Sequence, residues 1–223
     1  MADFGDDYSN KFTVNILKAR STSLLFAPVT SDPIEAVTET ANATLLALPA
    51  GYRDAGLTTD DGPTFSRATE TDAVTSHGRT EPSIEDKVSD TLTMAVTFQE
   101  ANATTLSLYY GLSKASLEGF RDPTTGELFM PTPELPDDPY YRCLAISRDS
   151  DRNGRGDVYF GYFLPKVKVS EPAEQAWGKT GEVQFGVTIT AFVDDALKYS
   201  RAPFYGGPGW KGRAADMGFS ALT

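Results

Sequence analysis

The stretch 90-DTLTMAVTFQE-100 decides the fold class, because apolar and polar residues alternate along it. A second stretch, 182-EVQFGVTITAFV-193, alternates in the same way. A period of two residues, with Val and Thr enriched, is typical of strands that have one face on a core and the other in water. Both stretches therefore predict antiparallel β-strands. Their expected core residues are Leu92, Met94, Val96, Phe98, Val183, Phe185, Val187, Ile189, Ala191 and Val193.

Other segments have the composition of strands as well. The aromatic-rich segment 157–169 contains Pro165, which lacks the N–H that a ladder hydrogen bond needs, so we expect an edge or a bulge there. Segments 22–29, 52–58 and 140–148 are shorter candidates. Together these segments predict a mainly β fold, an antiparallel β-sandwich or barrel-like domain.

One flanking α-helix is expected directly after the first alternating stretch. Asn102 is suited to an N-cap, Leu106 and Tyr109 follow at helical spacing, and Gly111 ends the segment. A second helix could open at Ser31-Asp32-Pro33 and continue to Leu45. Strands and helices do not alternate along the chain, so a helix beside a sandwich fits better than βαβ units.

Two polar stretches, residues 59–80 and 121–139, are predicted to be long loops. Loops longer than about 12 to 15 residues are usually functional or disordered. We therefore expect an N-terminal arm over residues 1–20, a β domain over 21–195 that carries both loops, and a C-terminal arm over 196–223.

The chain of 223 residues has a net charge of −11. Much of the excess lies in residues 54–100, where ten acids stand against three bases. Gripping nucleic acid or an anionic membrane depends on Lys and Arg, so both functions are disfavoured. No apolar run is long enough to cross a membrane, the N-terminus does not resemble a signal peptide, and Cys143 is the only cysteine. We expect a soluble protein.

Motifs that suggest chemistry have simpler explanations. The segment 149-DSDRNG-154 imitates a calcium loop, but Phe160 stands where a bidentate Glu should close it, so Asn153-Gly154 predicts a hairpin turn. His77 is the only histidine, and nothing near it resembles a nucleophile elbow. We expect no catalytic residue, metal or cofactor. Adjacent acids such as Asp137-Asp138 leave a two-carboxylate hydrolase as an open alternative.

Three stretches, 50–66, 81–111 and 192–219, resemble in their order and spacing the major tail protein, or tail tube protein, of long non-contractile-tailed bacteriophages, especially those of actinobacterial hosts. The similar features are the turn before Asp60-Asp61-Gly62, the strand ending in 97-TFQE-100 and the terminal 207-GPGW-210. The resemblance covers most of the chain, with residues 10–30 and 115–140 the least distinctive.

The resemblance implies a β-sandwich-like subunit with a flanking helix that forms stacked hexameric rings. Each subunit would add strands to a continuous β-barrel around a channel for the genome. The implied partners are further copies of the chain, a tape-measure protein, and tail-tip or terminator proteins. DNA would pass through without specific binding, no membrane would be bound, and no catalytic residue carries over. The implied location is the virion tail, after assembly in the host cytoplasm.

Two sets of residues follow as candidate sites. An acidic channel wall would repel DNA phosphates, so acids near the first alternating stretch and after the second are expected at the lumen. Exposed acids and aromatic residues in the loop 59–80 and the C-terminal arm are expected at contacts between copies. The lumen set is Glu81, Glu85, Asp86, Asp90, Asp194 and Asp195, and the self-association set is Asp60, Asp61, Phe65, Phe204, Tyr205 and Trp210.

Two alternatives outside enzymology stay open at this point. Another virion protein, of the neck or of the capsid decoration, would share the acidic β-rich profile but would not stack into tubes. A carbohydrate-binding β-sandwich would present Tyr and Trp as a platform on a rigid surface.

Overall fold

The computed structural model describes residues 15–78, 80–131, 134, 137–150, 154, 156–214 and 216–220. Eight strands and three short helices are found in these residues. In chain order they are β1 (Ser21–Pro28), β2 (Arg53–Asp54), β3 (Thr64–Val74), β4 (Ile84–Phe98), α1 (Ala103–Tyr110), α2 (Lys114–Gly119), β5 (Tyr141–Asp149), β6 (Val158–Pro172), β7 (Phe185–Ala191), β8 (Ala202–Gly206) and α3 (Pro208–Lys211).

The strands form one antiparallel sheet in the order β2-β1-β5-β6-β7-β4-β3, and β8 also pairs with β6. Although β1 and β4 are not neighbours in this order, the rings of Phe26 and Phe98 meet edge to face at 6.5 Å. The sheet therefore curls over a single core without closing. Thr58 forms an isolated bridge to Phe98, so the segment after β2 reaches across to β4. The predicted mainly β, sandwich-like fold is confirmed.

The long strand β6 changes partner at Pro165. Its residues 159–163 pair with β8, and its residues 167–172 pair with β7. On the other edge, Leu164 pairs with Cys143 and Val167 with Tyr141, so β6 has one extra residue in this interval. Proline is tolerated at this position because no ladder hydrogen bond requires its missing backbone N–H. Of the edge or bulge predicted at Pro165, the structure has a bulge.

Apolar side chains pack on both sides of the first part of the sheet. The concave side holds the main core, with Met94 and Phe98 fully buried among residues from β1, β4, β5, β6, β7 and α1. The convex side of β1, β5 and β6 is covered by a second layer, which includes Ile34, Tyr52 and Phe163. The outer residues of the second alternating stretch, Val183 and Val193, lie beyond β7 and are exposed.

Helix α1 has the predicted boundaries. The Asn102 side chain accepts hydrogen bonds from the backbone N–H of Thr104 and Thr105, both at 3.0 Å, and Gly111 ends the helix with φ of 65°. The sequence predicts one flanking helix, and the described residues contain two more short helices, α2 and α3. The helix considered after Ser31 is absent. Ala43 there has φ of 56°, which a right-handed helix cannot accommodate.

The loop predicted over 59–80 is wrong in its central part, because residues 64–74 form β3. From Ser66 onward β3 is exposed on both faces, so its sequence lacks the alternation that marks a half-buried strand. Its conformation comes from pairing with β4 along its full length. In 121–139, the described residues contain no helix or strand beyond an isolated bridge between Arg121 and Leu128.

The expected arms have different outcomes. Residues 1–14 of the N-terminal arm lie outside the described residues. The separate C-terminal arm is a wrong prediction for residues 202–206, because they form β8 and pair with β6 inside the sheet. The Gly and Pro residues around β8 hid this strand from the sequence pattern. The pairing of Asp149 with Val158 shows that β5 and β6 form a hairpin, while Asn153 of the predicted turn lies outside the described residues.

Candidate functional site

The convex face of β3, β4 and β7 carries small hydroxyl side chains. Thr93 lies opposite Thr190 on β7 and opposite Ser66 on β3, and directly paired residues share a face of the sheet. These side chains remain partly or fully exposed, in contrast to the apolar layer over the convex side of β1 and β5. We call this surface the hydroxyl face. Its members are Thr64, Ser66, Ser89, Thr91, Thr93, Thr97, Thr188 and Thr190.

The β3–β4 hairpin projects beyond β7 as a two-stranded ribbon. β7 pairs with β4 only over residues 93–98, so residues 66–92, here called the arm, contain strand segments that pair only with each other. All described side chains over residues 66–88 are exposed. A two-stranded ribbon with little buried apolar surface is marginally stable alone, so contacts with other chains would stabilise it.

Three acids continue the hydroxyl face along the arm. Asp72 lies directly opposite Asp86, and Glu70 lies two residues from Asp72 on the same side of β3. The hydroxyl of Ser89 donates to Glu70 at 3.2 Å. Of the six acids predicted at the lumen, Asp86 is the one that shares this face. Glu70 and Asp72 are not among the predicted lumen residues, because the sequence pattern predicts a loop over residues 59–80.

Asp90 lies on the opposite face of the arm, within a cluster of cations. Its carboxylate accepts hydrogen bonds from Arg67 at 2.6 and 2.7 Å and from Lys87 at 2.8 Å, and it forms an ion pair with Arg201 at 2.8 Å. The hydrogen bonds from Arg67, Lys87 and Arg201 hold the pKa of Asp90 well below its usual range. Asp90 therefore ties the base of the arm to the segment before β8.

Asp194 is buried, so the prediction that it faces a lumen is wrong. Its carboxylate lies 3.3 Å from Arg142 Nη1 and accepts hydrogen bonds from the backbone N–H of Ala196 and Leu197. Burial alone would raise the pKa of Asp194, but those N–H groups and Arg142 lower it overall. Asp194 holds together the turn after β7. Its neighbour Asp195 is exposed and lies 3.6 Å from Lys166.

The two remaining lumen candidates are exposed but lie off the hydroxyl face. Glu85 pairs with Ala73, whose side chain points to the same side as Arg67 and Thr69. Glu81 precedes β4, in the connection at the tip of the arm.

The residues predicted at self-association contacts occupy four different settings. Asp60 and Asp61 are exposed in a turn that Gly62 closes by donating to the Thr59 carbonyl at 2.9 Å. Phe65 is half-buried, with its ring 4.8 Å from that of Tyr162 in the same chain. Phe204 packs on the convex apolar layer. Phe65 and Phe204 thus already have partners within the subunit.

Tyr205 and Trp210 belong to a row of aromatic rings at the end of β8. The Tyr205 ring is nearly parallel to those of Phe160, at 6.3 Å, and Trp210, at 5.0 Å, and Trp210 also contacts Phe219. Tyr205 nevertheless stays 52% exposed. The Tyr205 ring is thus one of a row of contacting rings and keeps about half of its surface exposed.

The described part of the chain has no helix long and apolar enough to cross a membrane. Within the same residues, no group of three or more His, Cys, Asp and Glu side chains could hold a metal ion. His77 is exposed in the turn between β3 and β4. Cys143 is fully buried, and burial raises the pKa of its thiol.

An uncovered polar sheet face and a projecting two-stranded arm are typical of a structural protein that assembles with other chains. Residues 13–203 match the family model described as phage tail tube protein. The chain therefore belongs to the phage tail tube protein family. It is a structural component of a phage tail and not an enzyme. This assignment favours the tail tube over the neck, capsid-decoration and carbohydrate-binding alternatives.

Two solved structures are among those similar to this chain. One is the tail of an empty gene transfer agent particle, computed with helical refinement in C6 symmetry, at 10% identity and a TM-score of 0.31, covering 63% of this chain and 81% of the other. The second is the virion of a native gene transfer agent particle, at 12% identity and a TM-score of 0.30, covering 69% and 88%. TM-scores this low carry no structural argument. No curated protein matches the chain.

Proposed function

We propose that this chain forms hexameric rings that stack into a tube, and that the hydroxyl face lines the channel through which the genome passes. The observation that carries this proposal is the continuity of the hydroxyl face with Glu70, Asp72 and Asp86 on the arm. Membership of the tail tube family supports tube formation.

The chemistry of the hydroxyl face suits a conduit for DNA. Thr and Ser side chains are short and uncharged, and Lys168, which lies opposite Thr190, is paired with Asp138. The acids on the arm repel phosphates, so that DNA slides without being held. Glu81, Glu85 and Asp195 are exposed and stay in the proposal as charges near the channel. Asp90 and Asp194 leave it, because each is engaged within the subunit.

Open strand edges favour ring closure. β3 ends the sheet on one side, and the β1 edge at the other side is covered by β2 only at Leu25 and Phe26. Unpaired edges promote association, and pairing them between neighbouring copies removes that liability. Such a contact joins two different surfaces, so it closes into a ring where the rotation permits. Asp60, Asp61 and the aromatic row of Tyr205 and Trp210 complete the proposed contacts.

Further partners follow from a tube of this kind. A tape-measure protein would occupy the channel during assembly, and tail-tip and terminator proteins would cap the two ends. Assembly would take place in the host cytoplasm, with no membrane involved. DNA would be conducted without sequence-specific binding.

Negative-stain electron microscopy of the purified chain over a concentration series tests this function. We expect hollow rings or tubes with a stain-filled channel as concentration rises. Small monomers at every concentration, also in the presence of a tail-initiation complex, would contradict the proposal.

A further inference from the structure

The cation cluster on the arm holds more positive charge than its own chain compensates. Arg67, Lys87 and Arg201 all contact the one carboxylate of Asp90. Glu85, the next acid on this face, forms none of the ion pairs found among the described residues. Three cations therefore share one paired acid in a chain whose net charge is −11.

The cluster also has more hydrogen-bond donors than its one carboxylate can accept. A carboxylate accepts about four hydrogen bonds, and Asp90 already has four contacts from the three cations. Nη1 of Arg201 is buried and has no hydrogen-bond partner among the described residues. The Arg67 and Lys87 side chains are 55% and 47% exposed, so they can meet a further acceptor from outside. Because the single carboxylate of Asp90 is already fully used, the exposed donors of Arg67 and Lys87 favour a second carboxylate at this site.

Asp60 and Asp61, in contrast, are carboxylates without a cation partner in the ion pairs of the described residues. Both are exposed and take part in none of the ion pairs among the described residues. Their turn is fixed to β4, because the N–H of Thr59 donates to the Thr97 carbonyl at 3.0 Å. The backbone of this turn is thus anchored to β4, and its two acids are exposed to solvent.

The turn and the cluster cannot meet within one copy. Asp90 and Thr97 are seven positions apart on β4, which corresponds to about 23 Å along an extended strand. Contact between the two surfaces must therefore join different copies. Because the surfaces are different, the same contact can repeat from copy to copy in a head-to-tail manner.

We propose that Asp60 and Asp61 of one copy bind the cluster of Arg67, Lys87 and Arg201 on the next copy. The occupant of the cluster is thus a carboxylate pair of the same chain. This inference rests on the proposed function, since it names a contact within the rings or tube.

The test is a charge reversal at the turn, D60K/D61K, measured as the critical concentration for assembly by sedimentation and electron microscopy. Like charges at an interface are strongly disfavoured, so we expect the critical concentration to rise about tenfold or more. The matched control is E35K/E127K, which makes the same charge change at exposed sites away from the hydroxyl face. An equal effect of both variants, or no effect of D60K/D61K, would overturn the inference.

A double-mutant cycle adds an independent criterion. D60N/D61N and R67Q should each raise the critical concentration, and their combination should raise it no further than the stronger of the two. Fully additive effects would contradict direct contact. If R67Q does not fold, the comparison of the two charge reversals decides alone. If the wild type and D60K/D61K assemble equally well, this contact is rejected and the proposed tube is not. If the wild type never assembles, both the contact and the tube are rejected.

Discussion

Asp72 and Asp86 lie directly opposite each other on β3 and β4, with their carboxylates on the same face of the arm. Like charges in this position repel and destabilise a strand pair. Neither acid takes part in an ion pair among the described residues. The arm therefore keeps a pair of acids that lowers its own stability, which favours a role for them in the assembled tube.

Replacing one of the two acids should stabilise the free subunit. D72N removes the repulsion while keeping a side chain of the same size, so we expect the free energy of unfolding to rise by about 0.2–1 kcal/mol. Urea unfolding of D72N, with D195N as the exposed control, measures this difference. A loss of stability in D72N would show that the pair is not repulsive.

Neutralising the three acids of the arm should affect the passage of DNA and not the formation of tubes. In E70Q/D72N/D86N, we expect tubes of normal appearance but ejection slower by roughly two- to tenfold, since the field that repels phosphates is weakened. Ejection rates of phage carrying the variant measure this effect. E35Q/E118Q/E127Q removes the same number of charges away from the hydroxyl face. Equal ejection by the variant and wild type would exclude a role for repulsion.

The ion pairs of Asp90 should make the arm sensitive to acid. Its pKa is lowered in the folded chain, so its stabilising contribution is complete above the unfolded pKa of about 3.9 and is lost as pH falls below that value. We expect hydrogen exchange in residues 66–92 to speed up on acidification relative to the intrinsic rate. D90N should show fast exchange already at neutral pH; unchanged exchange in D90N would refute the anchoring role.

Asp194 and Asp195 offer a matched pair for testing burial. D194A would leave Arg142 without its carboxylate in a buried site, which we expect to cost about 3–5 kcal/mol of unfolding free energy. D195A removes an acid whose side chain is 92% exposed, and its effect should stay within about 0.5 kcal/mol. Urea unfolding compares the two variants. Similar effects would mean that the Arg142–Asp194 pair contributes little.

The strands that build the core could be predicted because burial of one face leaves an alternating pattern. Leu92, Met94 and Phe98 carry that pattern in β4. β3 could not be predicted in the same way, since residues 66–74 are exposed on both faces and depend on pairing with β4. Helix α1 could be predicted because its two capping residues lie next to it in the chain.

Candidate sites were harder to predict than strands, because neighbouring residues of one type have different surroundings. Asp194 and Asp195 are adjacent, yet one meets Arg142, 52 positions away, and the other faces solvent. Glu70 and Asp72 share a face with Thr93 only because β3 pairs with β4 in one particular register. Such relationships depend on tertiary contacts, which no local pattern records.

A cryo-electron microscopy map of the assembled tube at side-chain resolution would show which face of the sheet lines the channel. We expect Thr93 and Thr190 to line the channel, with Glu70, Asp72 and Asp86 continuing the wall along the arm. A map in which the hydroxyl face is buried against a neighbouring subunit, or lies on the outer surface of the tube, would contradict the account.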